Sequence, residues 1–466
     1  MANNVVLICL DCVRKDRYDK LASRLGDRAD IQFEQCRAAS SWSAPSHASM
    51  FTGRLPHQHG VHSYDYDYTK ISREDTFLSE LSGHETLGVS ANPFASSAYG
   101  FDQLFDVWQD VRPEIPFSDG MKVKQFTWER ETEGLELYRE FVREALPHDK
   151  PIKSLGNGVI SKFRGKAPSL PVPRFRDDGG KNICKQSKRL IRDSEEPFFL
   201  FTNFMDAHGP YTQIFGHDTS VYDAPNDWSS NDFDKVGTNL EGGLTDETHT
   251  SHYRGVYHAD IEYLDRLITQ FVTDVQELTE SPTVFVVTAD HGQNLAYERE
   301  DNLIAHMGTL SEGALHVPLD IIVPWGSDSR VIEDYVSHLD LGELLRGLAE
   351  GEIPDVTTSH PRAEIIGAAG AQGRLSPSDD EYDYWTRGQR CVYSGSEKYW
   401  WDSLGDSIVF ELDEDQPNRE WETGRQFDVT EFESKWFDRD LVDVKRDVEG
   451  QVNQQTSARL KDLGYL

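Results

Sequence analysis

The chain has 466 residues, and 37% of them are hydrophobic, which is enough to build a substantial buried core. Its formal net charge is −34, and such acidity excludes nucleic acid as the main partner. High negative charge keeps a protein soluble at the cost of self-repulsion, so we predict a halophilic archaeal source, with an ordinary acidic mesophilic protein as the alternative.

The first predicted element is a β-strand over residues 4–10, Asn-Val-Val-Leu-Ile-Cys-Leu, which runs directly into Asp11. A β-branched, nearly continuous apolar run is typical of a strand that is buried on both faces of a parallel sheet. In such sheets ligands bind beyond the carboxyl ends of the strands, so Asp11 is a candidate site residue. The run is too short and too soon followed by charge for a signal peptide.

A hydroxyl-rich turn over residues 41–54 runs into a predicted helix. Its sequence is Ser-Trp-Ser-Ala-Pro-Ser-His-Ala-Ser-Met-Phe-Thr-Gly-Arg, in which Pro45 fixes a backbone angle two residues after Ser43. The N-terminus of a helix offers unpaired N–H groups, which suit a tetrahedral oxyanion. Ser43 is therefore a candidate nucleophile, and the alternative is an ordinary N-cap.

The middle of the chain mixes regular elements with two irregular segments. We predict a helix over residues 76–81, a strand over 86–90, a buried strand over 197–204 and a helix over 257–268. Residues 112–180 carry Gly, Pro and a local basic excess, and residues 218–250 are polar and aspartate-rich. Both segments are predicted to be variable insertions. The basic excess is either a solvated surface or a lid that attracts an anionic substrate.

The strand predicted over residues 283–289 repeats the pattern of the first strand and runs into Asp290 and His291. Another central strand is predicted over residues 317–324. After about residue 350 the pattern changes to short antiparallel strands joined by glycine turns. We therefore predict a catalytic domain over 1–350, an antiparallel subdomain over 351–435 and a charged helical tail over 436–466.

Two acids, a histidine and a hydroxyl can form a metal-activated nucleophile. Carboxylates and imidazoles on rigid strand ends can converge on a divalent cation, as Asp11, Asp290 and His291 could. Coordination would lower the pKa of the Ser43 hydroxyl enough for attack on sulfur or phosphorus. For any one of these residues the alternative is an ordinary turn residue.

Histidines follow other predicted strands and loops. His208 and His306 could each bind an anionic oxygen, protonate a leaving group or hold a second metal. The three histidines of the segment 55–62 could form a metal site, but caps of a loop are the preferred interpretation.

These segments, in their order, resemble the sulfatase family within the alkaline phosphatase superfamily. Residues 4–11 resemble its first metal motif, residues 43–54 its Cys/Ser-x-Pro-Ser-Arg-x-x-x-x-Thr-Gly-Arg signature, residues 205–211 its central substrate motif and residues 288–292 its second metal motif. The resemblance covers about residues 4–425. It implies an α/β fold with a mixed, mainly parallel central sheet, helices on both faces and a small C-terminal antiparallel sheet.

The resemblance also implies an activity and roles for individual residues. It implies a metal-dependent hydrolase that cleaves a sulfate ester, with one divalent ion, which is calcium, manganese or magnesium, and with a second metal left open. The implied metal ligands are Asp11, Ser43, Asp290 and His291. The implied catalytic residues are Ser43, His208 and His306, and the implied substrate contacts are His47, Arg54 and Asp206.

Three departures from the family pattern bear on the reaction. Cys12 stands where a second acid is usual, His47 replaces the signature arginine, and the usual lysine near His306 is not evident. Asp290-His291 resembles the branches that use an unmodified hydroxyl on phosphate esters. The alternatives are therefore a phosphodiesterase or phosphotransferase with unmodified Ser43, and an inactive binding protein on the same fold.

Composition predicts the compartment and the partners. Five cysteines without a metal-like pairing favour a reduced, cytoplasmic protein. No apolar run is long enough to insert into a membrane. The predicted partner is an anionic small-molecule or glycan ester, and the oligomeric state is left open.

Overall fold

A computed structural model of the chain describes residues 2–111, 121, 134–155, 173–174, 177–326, 329–372, 374–376, 378–413, 416 and 419–450. Much of the predicted 112–180 insertion and the end of the predicted tail, residues 451–466, lie outside the described residues.

The strands of the described residues form two sheets and one small hairpin. They are β1 (Asn4–Leu10), β2 (Ile31–Arg37), β3 (Glu85–Ser90), β4 (Val107–Asp110), β5 (Phe198–Phe204), β6 (Thr283–Thr288), β7 (Asn294–Leu295), β8 (Ile304–Ala305), β9 (Leu319–Ile322), β10 (Arg330–Ser337), β11 (Arg362–Ile366), β12 (Gly388–Ser394), β13 (Glu397–Asp402), β14 (Ser407–Leu412) and β15 (Glu420–Glu422). The main sheet has the order β10-β2-β9-β6-β1-β5-β3-β4, and β9 alone among these strands runs antiparallel to its neighbours.

Helices lie around the main sheet in two groups. They are α1 (Lys15–Leu21), α2 (Ser23–Gly26), α3 (Ser43–Thr52), α4 (Pro56–His59), α5 (Gly134–Ala145), α6 (Gly180–Asp193), α7 (Lys235–Leu240), α8 (Glu247–Leu278), α9 (Glu312–Leu315), α10 (Leu341–Glu350), α11 (Ala369–Gln372), α12 (Tyr382–Thr386) and α13 (Val429–Trp436). One group consists of α1, α2 and α6 against the long α8, and the other includes α3 and α10. The predicted mixed, mainly parallel sheet with surrounding helices is confirmed.

The centre of the sheet explains where a site can form. Every residue of β1, β5 and β6 is buried, because these strands are covered on both faces. Cys9 of β1 lies beside Thr288 of β6 and Asn203 of β5, so the three strands end at one edge of the sheet. The residues that follow the three strands are therefore brought to the same place.

Some predicted elements differ in the structure. The predicted helix over 76–81 is only a 3₁₀ turn at Phe77–Glu80, and the central strand predicted over 317–324 is the antiparallel β9. The polar segment 218–250 includes α7 and the start of α8, and it contributes the buried Asn239 to the interior. These elements were not predicted, because the segment is aspartate-rich. A polar composition alone does not show that a segment lies at the surface.

The second sheet is antiparallel, in the order β11-β12-β13-β14-β15, as predicted for the C-terminal strands. Buried ion pairs connect it to the main sheet. Glu312 of α9 lies 3.0 Å from Arg37 of β2 and 3.3 Å from Lys398 of β13, and these three side chains are at most 1% exposed. No helix among the described residues is long and apolar enough to cross a membrane.

Candidate active site

Four side chains converge beyond the carboxyl ends of β1 and β6. The Ser43 hydroxyl oxygen, at the start of α3, lies 3.4 Å from Asp11 Oδ2 and 3.2 Å from His291 Nε2. His291 Nε2 lies 3.4 Å from Asp290 Oδ2. All four residues are buried. The structure thus brings together the four residues that the sequence suggested as metal ligands.

Surrounding groups fix the orientation of these side chains. The Nδ1–H of His291 donates to the Gly292 carbonyl at 2.8 Å, so the lone pair of Nε2 faces Ser43 and Asp290. The Asn92 amide donates to Asp11 Oδ2 at 2.6 Å. Asp290 Oδ1 accepts from its neighbour's backbone N–H at 2.9 Å, which leaves Oδ2 to point into the site.

The site has the character of a cation site. Asp290 Oδ2 is buried and has no hydrogen-bond partner among the described residues. Burial and the nearby Asp290 charge raise the pKa of Asp11, because two carboxylates in one dry cavity repel each other. A divalent cation would give Asp290 Oδ2 a partner and would offset the repulsion between the two carboxylates. Carboxylate oxygens, an imidazole nitrogen and a hydroxyl are ligands for such ions. The residues present therefore fit a bound metal.

A second group of side chains lies beside the first. The His306 ring is 4.4 Å from the His291 ring and 5.6 Å from the His208 ring, measured between centroids. The Cys12 sulfur is 3.6 Å from His306 Nδ1 and 3.1 Å from Asp11 Oδ1. The ligand atoms of Cys12, His208 and His306 are close enough together to hold an ion.

The two histidines of the second group are neutral near pH 7. Burial and the nearby Lys235 ammonium lower the pKa of His208 to about 4. Burial and the neighbouring His291 ring also lower the pKa of His306. Gln293 fixes His306, since its side-chain oxygen lies 3.0 Å from His306 Nδ1 while its amide nitrogen donates to the Tyr211 hydroxyl at 2.9 Å.

The three predicted substrate contacts lie in three different surroundings, and only His47 is known to lie near the four converging side chains, with Nδ1 3.7 Å from Asp290 Oδ2. His47 is fully buried, and its Nδ1 donates to the Ser43 carbonyl at 2.7 Å while Nε2 accepts from the Asn203 amide at 2.7 Å. Arg54 is 49% exposed and pairs with Asp75 at 3.2 Å. Asp206 is 3% exposed and lies among other carboxylates, which together with burial raise its pKa.

Lys235 and Asn92 are site residues that the sequence did not reveal. Lys235, at the start of α7, lies close to His208 and His306, and burial lowers its pKa. It has no hydrogen-bond or ion-pair partner in the part of the chain that the structure describes. The only indication of this role in the sequence is that Lys235 is a single lysine in an aspartate-rich segment. Asn92 follows β3, and a strand end alone does not distinguish it from a turn residue.

The histidines of the segment 55–62 serve the loop in which they lie. His59 Nε2 is 3.1 Å from the Ser49 hydroxyl, and its Nδ1 accepts the Val61 N–H at 3.1 Å. The His57 ring pairs with the buried Glu364 at 2.9 Å. The His57 and His59 rings therefore have protein partners outside the candidate site, and the His62 ring meets the Tyr64 ring with centroids 6.2 Å apart.

A cavity of about 190 Å³ opens beside the second group of side chains. His208, His306 and Lys235 form its polar end. Its remaining lining residues are Trp42, Ser63, Val236, Asn239, Ala305, Met307, Gly308, Ile365, Ala368 and Gly370. The cavity can therefore receive the part of a ligand that extends away from Ser43.

The clustered acid, histidine and serine side chains lie at the carboxyl ends of the central parallel strands. The family model for sulfatases matches residues 3–351, and the chain belongs to the sulfatase family. No curated protein matches the chain in sequence.

Solved structures show the same fold. The phosphonate monoester hydrolase of Agrobacterium radiobacter is 14% identical, with a TM-score of 0.56, over 98% of this chain and 96% of that one. A protein in complex with its substrate D-glucosamine-2-N,6-O-disulfate is 12% identical, with a TM-score of 0.58, over 97% of this chain and 99% of that one. A 2-O GAG sulfatase is 14% identical, with a TM-score of 0.54, over 100% of this chain and 94% of that one.

Proposed function

We propose that the chain is a metal-dependent hydrolase that cleaves a sulfate ester through a nucleophile derived from Ser43. The observation that carries the proposal is the position of the Ser43 hydroxyl, within 3.4 Å of both Asp11 Oδ2 and His291 Nε2 and in the same cluster as Asp290 Oδ2, which has no hydrogen-bond partner among the described residues. A divalent ion held by these four residues would supply Lewis acidity and lower the pKa of the hydroxyl.

The protein's own groups would bind and orient the ester. Ser43 begins the ten-residue helix α3, whose N-terminus would place partial positive charge near the negative charge that develops on the ester. Lys235 offers a positive charge to the ester oxygens, whereas the neutral His208 and His306 can accept or donate a hydrogen bond on the leaving-group side. His47 would hold the Ser43 backbone from beneath.

A phosphate ester is the second candidate substrate, and His47 is the observation that favours it. The family signature has arginine at this position, and His47 is buried and bonded to Ser43 and Asn203. We expect Ser43 to be largely unmodified for this reason. An unmodified serine suits phosphate, because a phosphoserine can be hydrolysed by metal-activated water, whereas a sulfated serine has no easy release.

Ser43→Ala and its matched control Ser40→Ala test the nucleophile. Ser40 is also buried, but its hydroxyl makes no hydrogen bond to the four converging side chains. We expect Ser43→Ala to lose at least about 10³-fold in kcat on aryl sulfate, aryl phosphate monoesters or aryl phosphate diesters, whichever the wild type cleaves, because the bond-forming atom is removed. Ser40→Ala should retain most of its activity.

Intact-mass analysis of the peptide that contains Ser43 separates the two substrates. Formylglycine would favour the sulfate ester, and unmodified serine would favour the phosphate ester. Undiminished turnover by Ser43→Ala on every ester would remove Ser43 as nucleophile and the proposed mechanism with it.

We also propose that the protein works in the cytoplasm of a halophile. The net charge of −34 and the five free cysteines support this setting.

A further inference from the structure

We propose that the 190 Å³ cavity selects esters of small apolar alcohols, of the phenol class, and rejects glycan esters. The inference rests on the proposed function, because it names the substrate class of the same site. Apolar side chains form most of the rest of the cavity wall, and they include Trp42, Val236, Met307, Ile365 and Ala368. Such a wall favours an apolar leaving group, because removing an apolar group from water costs little free energy.

The polar side chains in this wall are already bonded to backbone groups. The Asn239 amide donates to the Ile304 carbonyl at 2.8 Å, and its oxygen accepts the Ile304 N–H at 2.9 Å. The Ser63 hydroxyl donates to the Gly367 carbonyl at 3.1 Å. A sugar would bring several hydroxyl groups into a wall with few free partners, and each buried hydroxyl without a partner weakens binding.

The free polar side chains of the cavity lie close together. His208 and His306 belong to the second group of side chains, and Lys235 lies near them, where the ester oxygens would be. An anionic ester with an apolar tail matches this division, with its charge at Lys235 and its tail against Trp42. A uniformly polar substrate does not match it.

Neighbouring residues fix the width of the cavity. The Trp42 ring meets the edges of Phe94 and Tyr66, with centroids 5.0 and 5.7 Å away, so its position is held by packing. A β-carbon on Gly370 would lie 3.2 Å from Val236 and 3.3 Å from the Met307 sulfur. The opening between these side chains therefore has little spare room, which suits a single ring better than an oligosaccharide.

Turnover of matched esters tests the inference. The probes are the phenyl, methyl and glucose-6-yl esters of the oxyanion that the enzyme cleaves. We expect kcat/KM for the phenyl ester to exceed that for the glucosyl ester by at least about 100-fold, because the sugar hydroxyls go unpaired. Equal or faster turnover of the glucosyl ester would overturn the inference and leave the proposed hydrolase intact.

Met307→Gln and its control Met307→Leu test the apolar wall directly. Gln has a similar length but adds an amide, whereas Leu keeps the wall apolar. We expect Met307→Gln to raise KM about tenfold more for the phenyl ester than for the methyl ester, while Met307→Leu keeps the wild-type ratio of the two KM values. Equal losses on the phenyl and methyl esters would overturn the assignment of Met307 to the leaving-group wall. Melting temperatures would show whether both variants fold.

Calorimetry tests the cavity without any turnover. Phenylphosphonate should bind at least about tenfold more tightly than methylphosphonate, and Met307→Gln should reduce that ratio. Equal affinity for the two phosphonates would overturn the inference. If the wild type cleaved no ester, the proposed function would fail, while this comparison would still decide the ligand class of the cavity.

Discussion

Single side chains in the active site depend on single hydrogen bonds for their orientation. His291 would serve as a metal ligand through Nε2, because the Gly292 carbonyl accepts the proton on its other ring nitrogen. Asp11 is held by Asn92, which lies 81 positions away in the sequence. The sequence predicted the residues that follow the two central strands, whereas their supporting partners come from unrelated segments and carry no local pattern.

Asp290→Asn should remove the metal. The substitution keeps the shape but deletes the charge and one acceptor oxygen in a buried site. We expect metal content, measured by mass spectrometry after dialysis, to fall from about one ion per chain to near zero, and activity to fall by at least about 100-fold. A chelator should reproduce the loss in the wild type.

Asp206→Asn is the matched control for that experiment. Asp206 is also buried and follows β5, which lies on the other side of β1 from β6, but its carboxylate lies near Asp177 and Asp178. Its metal content should equal that of the wild type. A full complement of metal in Asp290→Asn would contradict the proposed ligand set.

Elements place the site through the order of the strands. β1 lies between β5 and β6 with the same direction, so three strand ends meet although β1 lies 194 positions before its partners in β5 and 279 before those in β6. The apolar runs predicted each strand but could not give the order. β2 and β10 were not predicted. β10 is an edge strand whose residues are mostly exposed or half-buried, so it lacks the continuous apolar run of a buried strand.

Lys398→Met should weaken the connection between the two sheets. Lys398 is 1% exposed, and it pairs with Glu312 and Glu420 and donates to the Leu310 carbonyl at 3.0 Å. Removing the ammonium leaves two carboxylates close together in a dry interior. We expect the free energy of unfolding to fall by about 3–5 kcal/mol, as measured by chemical denaturation.

Arg346→Met is the control for the buried pair. Arg346 is 39% exposed and pairs with the more exposed Glu80 at the surface. Its loss should change the free energy of unfolding by at most about 1 kcal/mol, because water and salt screen an exposed pair. Similar effects of the two substitutions would show that the Lys398 cluster does not connect the sheets in the way described.

The whole molecule carries one dominant electrostatic feature, the net charge of −34. Like charges repel over a compact surface, and dissolved ions shorten the range of that repulsion from about 10 Å at 0.1 M salt to about 3 Å at 1 M. The buried ion pairs are shielded from solvent, so added salt affects them less than it affects the repulsion between surface charges. Added salt should therefore relieve repulsion more than it weakens the internal pairs.

Potassium chloride should stabilise the folded protein. We expect the melting temperature to rise steadily between 0.1 and about 2 M salt, as followed by circular dichroism, and activity to rise with it. A control series at constant ionic strength with different cations would separate screening from binding of a specific ion. A melting temperature that is highest in dilute buffer would contradict a halophilic protein.

The sequence by itself determined the composition, the central strands, the residues at their ends and the hydroxyl at the start of α3. These features are local, because burial periodicity and a turn signal are written in consecutive residues. Only the tertiary structure decided that Lys235 joins His208 and His306, that His47 lies beneath Ser43 and that an apolar cavity adjoins the site. Each of these facts depends on contacts between distant segments. Packing and desolvation stabilise such contacts, and neither leaves a pattern in consecutive residues.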